Sequence, residues 1–245
     1  MRLTTDALII RENNNIGEAD RFVTALTREL GVVRASARGA RNIKSRNSSA
    51  TQLLSYSRLT LYRGREKYII DDAEPLQVFF EVRGDIVKLS LAQYFCELAG
   101  VLAPREEPAE DFLRLLLGGL HYLSGDSRNI RQIKAVVELR ALCLSGYMPD
   151  LTQCASCHED KGEPLFFLPR EGVLCCRSCL RRSGALALSP TVLAALRHVV
   201  YAPLEKVFSF TIPEEQYPIL EQVAETFLLS QLDRGFKTLD FYHTL

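Results

Sequence analysis

The chain has 245 residues, of which 47% are hydrophobic and 24% are charged, and this composition predicts a globular protein with a sizeable core. The 30 basic and 30 acidic residues give a formal net charge of zero. No run of eighteen apolar residues occurs and the first residues lack the pattern of a secretory signal, so we expect neither a transmembrane helix nor a signal peptide.

The charge is distributed unevenly along the chain. Residues 1–84 contain 14 basic and 10 acidic residues, a net charge of +4, and the remainder contains 16 and 20, a net charge of −4. Between residues 28 and 67, ten basic residues are opposed by only two acidic ones. Such a basic segment in a neutral protein is the electrostatic pattern expected for a nucleic-acid partner. The alternative is a solvated surface without a partner.

The first 80 residues predict an all-β domain. Strand-like segments cover residues 5–10, 21–30, 32–38, 59–62 and 68–70, and turn residues separate them. Five short strands with glycine-containing turns favour a small barrel.

Strand alternation predicts which side chains point outward from the barrel. In the third strand Arg34, Ser36 and Arg38 point outward, and the small apolar residues between them point inward. In the fourth strand Arg58 and Tyr62 point outward. Arginines beside a tyrosine suit a surface that contacts phosphates and stacks bases. An ordinary edge position is the alternative for Tyr62.

Residues 39–51 predict a polar, basic loop with too few apolar residues to fold alone. We expect this loop to be mobile and to become ordered on phosphate contact. Together the strands and the loop give the predicted DNA-binding set, which consists of Arg34, Arg38, Arg41, Lys44, Arg46, Arg58, Tyr62, Arg63 and Lys67.

From residue 85 onward the apolar residues recur with a helical period. Helices are predicted at residues 85–102, 108–123, 130–144, 190–201 and 218–232. Ser189 is the expected N-cap of the fourth, with Pro190 at its first position. The helices have wide apolar faces and are expected to pack as a bundle, with Cys96 and Cys143 in its core.

Two Cys-x-x-Cys motifs, separated by eighteen residues, predict one structural Zn²⁺ bound by Cys154, Cys157, Cys176 and Cys179. Four thiolates leave no open position on the metal, which favours a structural role over catalysis. Disulfides or free thiols are the alternatives, and Cys175 is an alternative ligand to Cys176.

The residues around the cysteine pairs predict a small metal-stabilised insertion. Short strands are expected at residues 165–167 and 173–174, joined by a turn. So few apolar residues do not make a stable core alone, so the metal is expected to supply folding free energy. His158 is expected to be a bystander beside the first pair. Seven cysteines without a secretory signal favour a reducing cytoplasm.

No motif for catalysis is evident. The chain lacks a glycine-rich phosphate loop, a dinucleotide fingerprint and a nucleophile elbow, and its four histidines form no metalloenzyme pattern. Asp71, Asp72 and Glu74 follow a predicted strand, where a solvated turn is the expected structure. The sequence therefore predicts a protein that is not an enzyme.

Residues 138–151 end in Gly-Tyr-Met-Pro-Asp-Leu and lead directly into the first cysteine pair. With the opening Thr-Asp-Ala-Leu-Ile-Ile at residues 5–10, the Gly-Glu-Ala-Asp at residues 17–20 and the closing Phe-Lys-Thr-Leu at residues 236–239, this element resembles the RecO family of bacterial DNA repair proteins. The resemblance covers essentially the whole chain. Thr238 departs from the serine that is commoner in the family at that position.

The resemblance implies an α+β multidomain protein. An OB-fold is expected over residues 1–80, an α-helical domain over 81–150 and 186–245, and a four-cysteine zinc insertion over 151–185. It also implies a non-enzymatic recombination mediator that binds single- and double-stranded DNA and anneals complementary strands. Its expected partners are RecR and the C-terminal tail of single-stranded-DNA-binding protein, with which it loads RecA, in the cytoplasm at the nucleoid. The alternative is a scaffold whose helical domain binds partner tails and whose barrel is incidental.

Overall fold

The computed structural model describes residues 2–13, 20–42, 44–45, 47–64, 67–159 and 164–245. Arg46 and the segment 17–19, which the sequence singled out, lie outside the described residues. The chain divides into two compact units, Met1–Gly125 with Phe236–Leu245, and the intervening residues Asp126–Gly235. The boundaries predicted at residues 80, 150 and 185 follow changes in sequence pattern and stay a prediction.

The first unit contains a closed five-stranded barrel. Its strands are β1 (Arg2–Asn13), β2 (Arg21–Thr27), β3 (Gly31–Ala37), β4 (Ser55–Arg63) and β5 (Tyr68–Val78). They follow the order β1-β2-β3-β5-β4 around the barrel, and only the β3–β5 pair is parallel. The predicted small β-barrel is confirmed.

Small side chains fill the barrel interior. Val33, Ala35 and Ala37 from β3 meet Leu59 and Leu61 from β4 in one buried cluster, as the alternation predicted. Small residues suit the inside of a narrow barrel, where space is limited.

The outward side of β3 differs from the prediction at one position. Arg34 and Arg38 are exposed, whereas Ser36 between them is only 6% exposed. Ser36 lies directly opposite Phe22 of β2 and Ile69 of β5, and these larger neighbours account for its low exposure.

The expectation of a mobile loop is wrong for residues 47–51. A short helix, α1 (Asn47–Ala50), covers one part of the barrel, and both its terminal residues are buried. The Asn47 side chain accepts a hydrogen bond from the Ala73 backbone N–H at 3.1 Å, and Ser57 Oγ donates to the Ala50 carbonyl at 2.8 Å. Because polar side chains here complete the hydrogen bonding of the strands, a segment with few apolar residues is nevertheless fixed.

The carboxylates of residues 71–74 do not form a turn. Asp71, Asp72 and Glu74 lie within β5, which continues to Val78. Asp71 forms an ion pair with Arg2 at 2.8 Å. The strand was predicted too short because acidic residues are poor strand formers in isolation, and cross-strand pairing to basic residues offsets this preference.

Four helices complete the first unit: α2 (Phe80–Arg83), α3 (Ile86–Leu102), α4 (Glu110–Gly125) and α8 (Lys237–Tyr242). Asp85 caps α3 by accepting hydrogen bonds from the Val87 and Lys88 backbone N–H groups. The Tyr94 and Phe236 rings meet edge to face at 5.7 Å and join α3 to the start of α8.

The helices of the second unit are α5 (Ile130–Leu144), α6 (Pro190–Tyr201) and α7 (Tyr217–Leu232). Ser189 caps α6 and Pro190 occupies its first turn, as predicted. Cys143 on α5 is half-buried, so its assignment to the core was overstated, whereas Cys96 in the first unit is buried.

One buried ionic cluster of the second unit was not predicted. The Lys134 ammonium is fully buried and lies 2.9 Å from Glu138 on the next turn of α5, 2.6 Å from Glu225 and 3.8 Å from Glu221 on α7. Lys134 and Glu138 lie on the face of α5 that the helical period assigns to the core. Because both residues are charged, the sequence gave no indication that they are buried there.

A four-stranded sheet in the second unit holds both cysteine pairs. Its strands are β6 (Asp150–Cys154), β7 (Leu165–Leu168), β8 (Val173–Cys176) and β9 (Leu186–Leu188), in the order β6-β8-β7-β9. The sequence predicted the hairpin of β7 and β8 and missed the two outer strands. None of the helices in the described ranges combines the length and apolar character needed to cross a lipid bilayer.

Candidate metal centre and nucleic-acid interface

Strand pairing brings the two cysteine motifs together. β6 and β8 are parallel neighbours, and they end at Cys154 and Cys176, so both motifs leave the sheet at the same edge. The sulfur atoms of Cys154, Cys157, Cys176 and Cys179 all lie within 4.8 Å of one another. The distance from Cys157 Sγ to Cys176 Sγ is 3.7 Å. A tetrahedral zinc site with Zn–S bonds of about 2.3 Å places its sulfurs about 3.8 Å apart, so the cluster can hold such an ion.

The surroundings of Cys154 favour the thiolate that a metal requires. Burial opposes ionisation, but backbone N–H groups of Cys157, Cys176 and Ser156 point at the sulfur and lower its pKa to about 6. The Cys176 N–H lies 3.3 Å from this sulfur. Hydrogen bonds with the thiols of Cys176 and Cys157 raise the pKa of Cys179 to about 12. A divalent cation bound among the four sulfurs would favour the thiolate form of Cys179 instead.

Cys175 does not belong to the cluster. The four sulfurs that lie within 4.8 Å of one another do not include that of Cys175. The Cys175 side chain is buried, and its sulfur lies 3.6 Å from the Cys176 carbonyl. The geometry therefore favours Cys176 over Cys175 as the ligand. His158 is also separate from the four sulfurs, since its ring nitrogen Nδ1 lies 3.0 Å from the Gln153 amide.

Four converging sulfurs can do little chemistry beyond holding an ion. An ion bound by all four sulfurs would have no position left for water or substrate. Such an ion would tie the ends of β6 and β8 together, so its expected contribution would be to the stability of the sheet.

Two exposed arginines lie at the end of β3, with Arg34 on the strand and Arg38 directly after it. Arg34 and Arg38 are both exposed, and within the described ranges neither guanidinium has an ion-pair or hydrogen-bond partner. Lys44 is exposed as well, whereas Arg41 is half-buried and has an interaction within the protein. Exposed cations without a carboxylate neighbour, such as Arg34 and Arg38, can contact the phosphates of a nucleic-acid backbone.

Other predicted cations are already engaged within the protein. Arg58 on β4 forms an ion pair with Asp6 at 3.0 Å. Arg63 at the end of β4 lies 3.6 Å from Glu106. A phosphate must compete with these carboxylates, so both arginines are weaker candidates than Arg34 and Arg38.

The structure adds an aromatic residue that the sequence interpretation passed over. Phe22 on β2 is half-buried, and the Lys67 ammonium lies 4.0 Å from the centre of its ring. Tyr62 on β4 is a second large aromatic side chain on the outer surface of the barrel and is 47% exposed. The sequence did contain a signal for Phe22. Val23 points into the core, so its neighbour Phe22 is expected on the outer face of β2.

Comparison with known proteins covers the same two segments. Residues 1–79 match the family described as "Recombination protein O N terminal", and residues 83–240 match "Recombination protein O C terminal". The chain is 31% identical over 244 residues to DNA repair protein RecO of Acetivibrio thermocellus, covering 99% of this chain and 97% of that protein. It is 31% identical to that of Symbiobacterium thermophilum, covering 98% and 96%. Over 206 residues it is 36% identical to that of Heliobacterium modesticaldum, covering 82% and 74%.

Proposed function

The chain belongs to the RecO family of DNA repair proteins, and from that premise we propose that it is a non-enzymatic, DNA-binding recombination mediator. The supporting observation is the end of β3, where Arg34 on the strand and Arg38 directly after it are exposed and without carboxylate partners among the described residues. A small barrel with a basic face is a common platform for single strands.

The proposed role of each segment follows the domain boundaries predicted from the sequence. Residues 1–80 bind DNA, residues 81–150 and 186–245 form the helical domain, and residues 151–185 form the metal-stabilised insertion. The metal is Zn²⁺, because four thiolates in a tetrahedral arrangement are its typical structural ligands. The expected location is the cytoplasm at the nucleoid, where thiols stay reduced.

The mediator role requires contact with both DNA strands and with other repair proteins. A basic face that binds the backbone without reading sequence can hold two complementary strands and so promote their annealing. The proposed protein partners are RecR and the C-terminal tail of single-stranded-DNA-binding protein, and the outcome is the loading of RecA. The support for these partners is family membership.

A scaffold role for the helical unit remains the second candidate. The second unit shows three large exposed apolar side chains, Tyr147, Met148 and Tyr201, and exposed apolar surface is typical of protein-binding sites. Under this alternative the basic face of the barrel contributes nothing to repair.

Reversal of the two free arginines tests the proposal. We expect the double substitution R34E/R38E to weaken single-strand binding and to reduce the slope of log affinity against log salt by about 1.4, since each lost phosphate contact removes about 0.7. Fluorescence anisotropy with a labelled oligonucleotide measures both quantities. Because both side chains are exposed, the melting temperature should stay unchanged.

A matched pair of variants serves as the control for this experiment. Neutralising substitutions R34Q/R38Q should cost more affinity than R58Q/R63Q, because Arg58 and Arg63 are paired to Asp6 and Glu106. Unchanged affinity in a folded R34E/R38E protein would refute the assignment of this face, and survival of repair function in that variant would favour the scaffold.

A further inference from the structure

Four side chains that lie on the side of their strands away from the core form one row across the barrel, in which Ser36 is only 6% exposed. Phe22 of β2 lies directly opposite Ser36 of β3, Ser36 opposite Ile69 of β5, and Ile69 opposite Tyr62 of β4. Their neighbours Val23, Ala35, Leu61 and Ile70 all belong to the buried core, so the row itself faces out. The row runs perpendicular to the strands and has an aromatic residue at each end.

The dimensions and chemistry of the row are those of a track for unpaired bases. Its two aromatic ends are three strand spacings apart, roughly 14 Å along the sheet. Between them lie a small side chain, Ser36, and an apolar one, Ile69, so the middle of the row is low and uncharged. Every base has an apolar ring face, and stacking on aromatic side chains is therefore independent of sequence.

Cations flank this row on both sides, one on β3 and one just after the strand ends. Arg34 precedes Ser36 by two residues and Arg38 follows it by two, and both are exposed without partners among the described residues. Lys67 stands over the Phe22 ring. At the other end the cations are neutralised, since Arg2, opposite Tyr62, is paired with Asp71. The charge that attracts phosphates is therefore concentrated at the Phe22 end.

We propose that the row from Phe22 to Tyr62 is a base-stacking track with which the barrel holds the bases of single-stranded DNA. This inference rests on the proposed function and specifies how the same face engages its ligand. A strand crosses β2, β3, β5 and β4 with its bases on the row and its phosphates beside Arg34 and Arg38. In duplex DNA the base faces are covered by neighbouring pairs and are not available for such stacking.

Lys67 covers the Phe22 ring in the free protein and moves aside when a base arrives. An exposed cation–π contact is worth about two- to five-fold in an equilibrium constant. One base stacked on an aromatic side chain is worth about five- to 150-fold. The exchange is therefore favourable, and the displaced ammonium becomes free to contact a phosphate.

Two oligonucleotides of equal charge test the track. One is a labelled 15-mer of thymidine, and the other is a 15-mer of abasic residues with the same phosphate backbone. Wild-type protein should bind the thymidine strand at least about tenfold more tightly. F22L keeps an apolar side chain but removes the ring, and we expect it to lose at least five-fold on the thymidine strand and less than two-fold on the abasic strand. F22Y, which keeps the ring, should behave as the wild type.

The outcomes separate this inference from the proposed function. If the wild type binds both strands equally well, the barrel binds DNA but the track is wrong; if it binds neither, the proposed function falls as well. An equal loss by F22L on both strands would also overturn the track. Should F22L fail to fold, Y62L provides the same comparison at an exposed position, and an unchanged preference in Y62L would count against the row.

Discussion

Replacing Cys176 by alanine should abolish metal binding and destabilise the second unit, whereas the same change at the adjacent Cys175 should leave the metal in place. Cys176 contributes one of the four clustered sulfurs, and the sulfur of Cys175 is not among them. Binding of structural zinc contributes of order 10 kcal/mol in small zinc-dependent folds. Even a partial loss of about 4 kcal/mol lowers the melting temperature by roughly 10 °C or more for a chain of this size.

The neighbouring cysteine makes a stringent control for this prediction. Cys175 is 5% exposed, so C175A leaves a small cavity and costs only about 1 kcal/mol. Elemental analysis of the purified variants gives the zinc content, and calorimetry gives the melting temperature. A C176A protein that keeps both its zinc and its melting temperature would contradict the structural role. Loss of zinc from C175A would show that the wrong cysteine has been assigned.

Substituting Lys134 by methionine should destabilise the protein by about 3–5 kcal/mol. The substitution removes the ammonium that lies 2.9 Å from the fully buried Glu138 carboxylate, and a buried charge without its partner is costly. Chemical denaturation at neutral pH measures the free energy of unfolding. A loss below about 1 kcal/mol would mean that the ion pair contributes little.

A second substitution tests whether charge or packing carries this effect. In the double variant K134M/E138L both buried charges are replaced by apolar groups, so much of the lost stability should return. If the double variant is less stable than K134M, packing accounts for the loss and the electrostatic explanation fails.

The same cluster predicts how stability responds to alkaline pH. Burial favours neutral lysine, but Glu138 and Glu225 outweigh it and raise the pKa of Lys134 above its ordinary value. The unfolded chain therefore releases this proton first, at about pH 10.4. The contribution of Lys134 is complete below that pH and declines as the pH rises further.

Periodicity predicted the secondary structure well wherever side chains alternate cleanly between core and solvent. The third strand, with Val33 and Ala35 inside and Arg34 outside, was assigned correctly because its pattern is local. The five long helices were found for the same reason. Elements that are held by hydrogen bonds between residues far apart in the sequence were missed. Helix α1 is the clearest case, since the Asn47 side chain is fixed by a hydrogen bond from the Ala73 backbone N–H.

Candidate site residues followed a similar rule. Cysteine spacing identified the four clustered thiols because motif spacing determines which sulfurs lie close together within each pair. Charge alone did not distinguish Arg34 from Arg58. The two differ because Arg58 forms an ion pair with Asp6, which lies on another strand. Phe22 was passed over because its significance depends on the register that aligns it with Ser36, Ile69 and Tyr62.

The most direct test of the account is the salt dependence of single-strand binding by the unmodified protein. Anisotropy of a labelled oligonucleotide, measured across a salt series, reports how many phosphates the protein neutralises. A face with about three to five phosphate contacts predicts a slope of roughly −2 to −4 in log affinity against log salt. Absence of binding at low salt would contradict the account, because the exposed arginines of β3 would then be no more than a solvated surface.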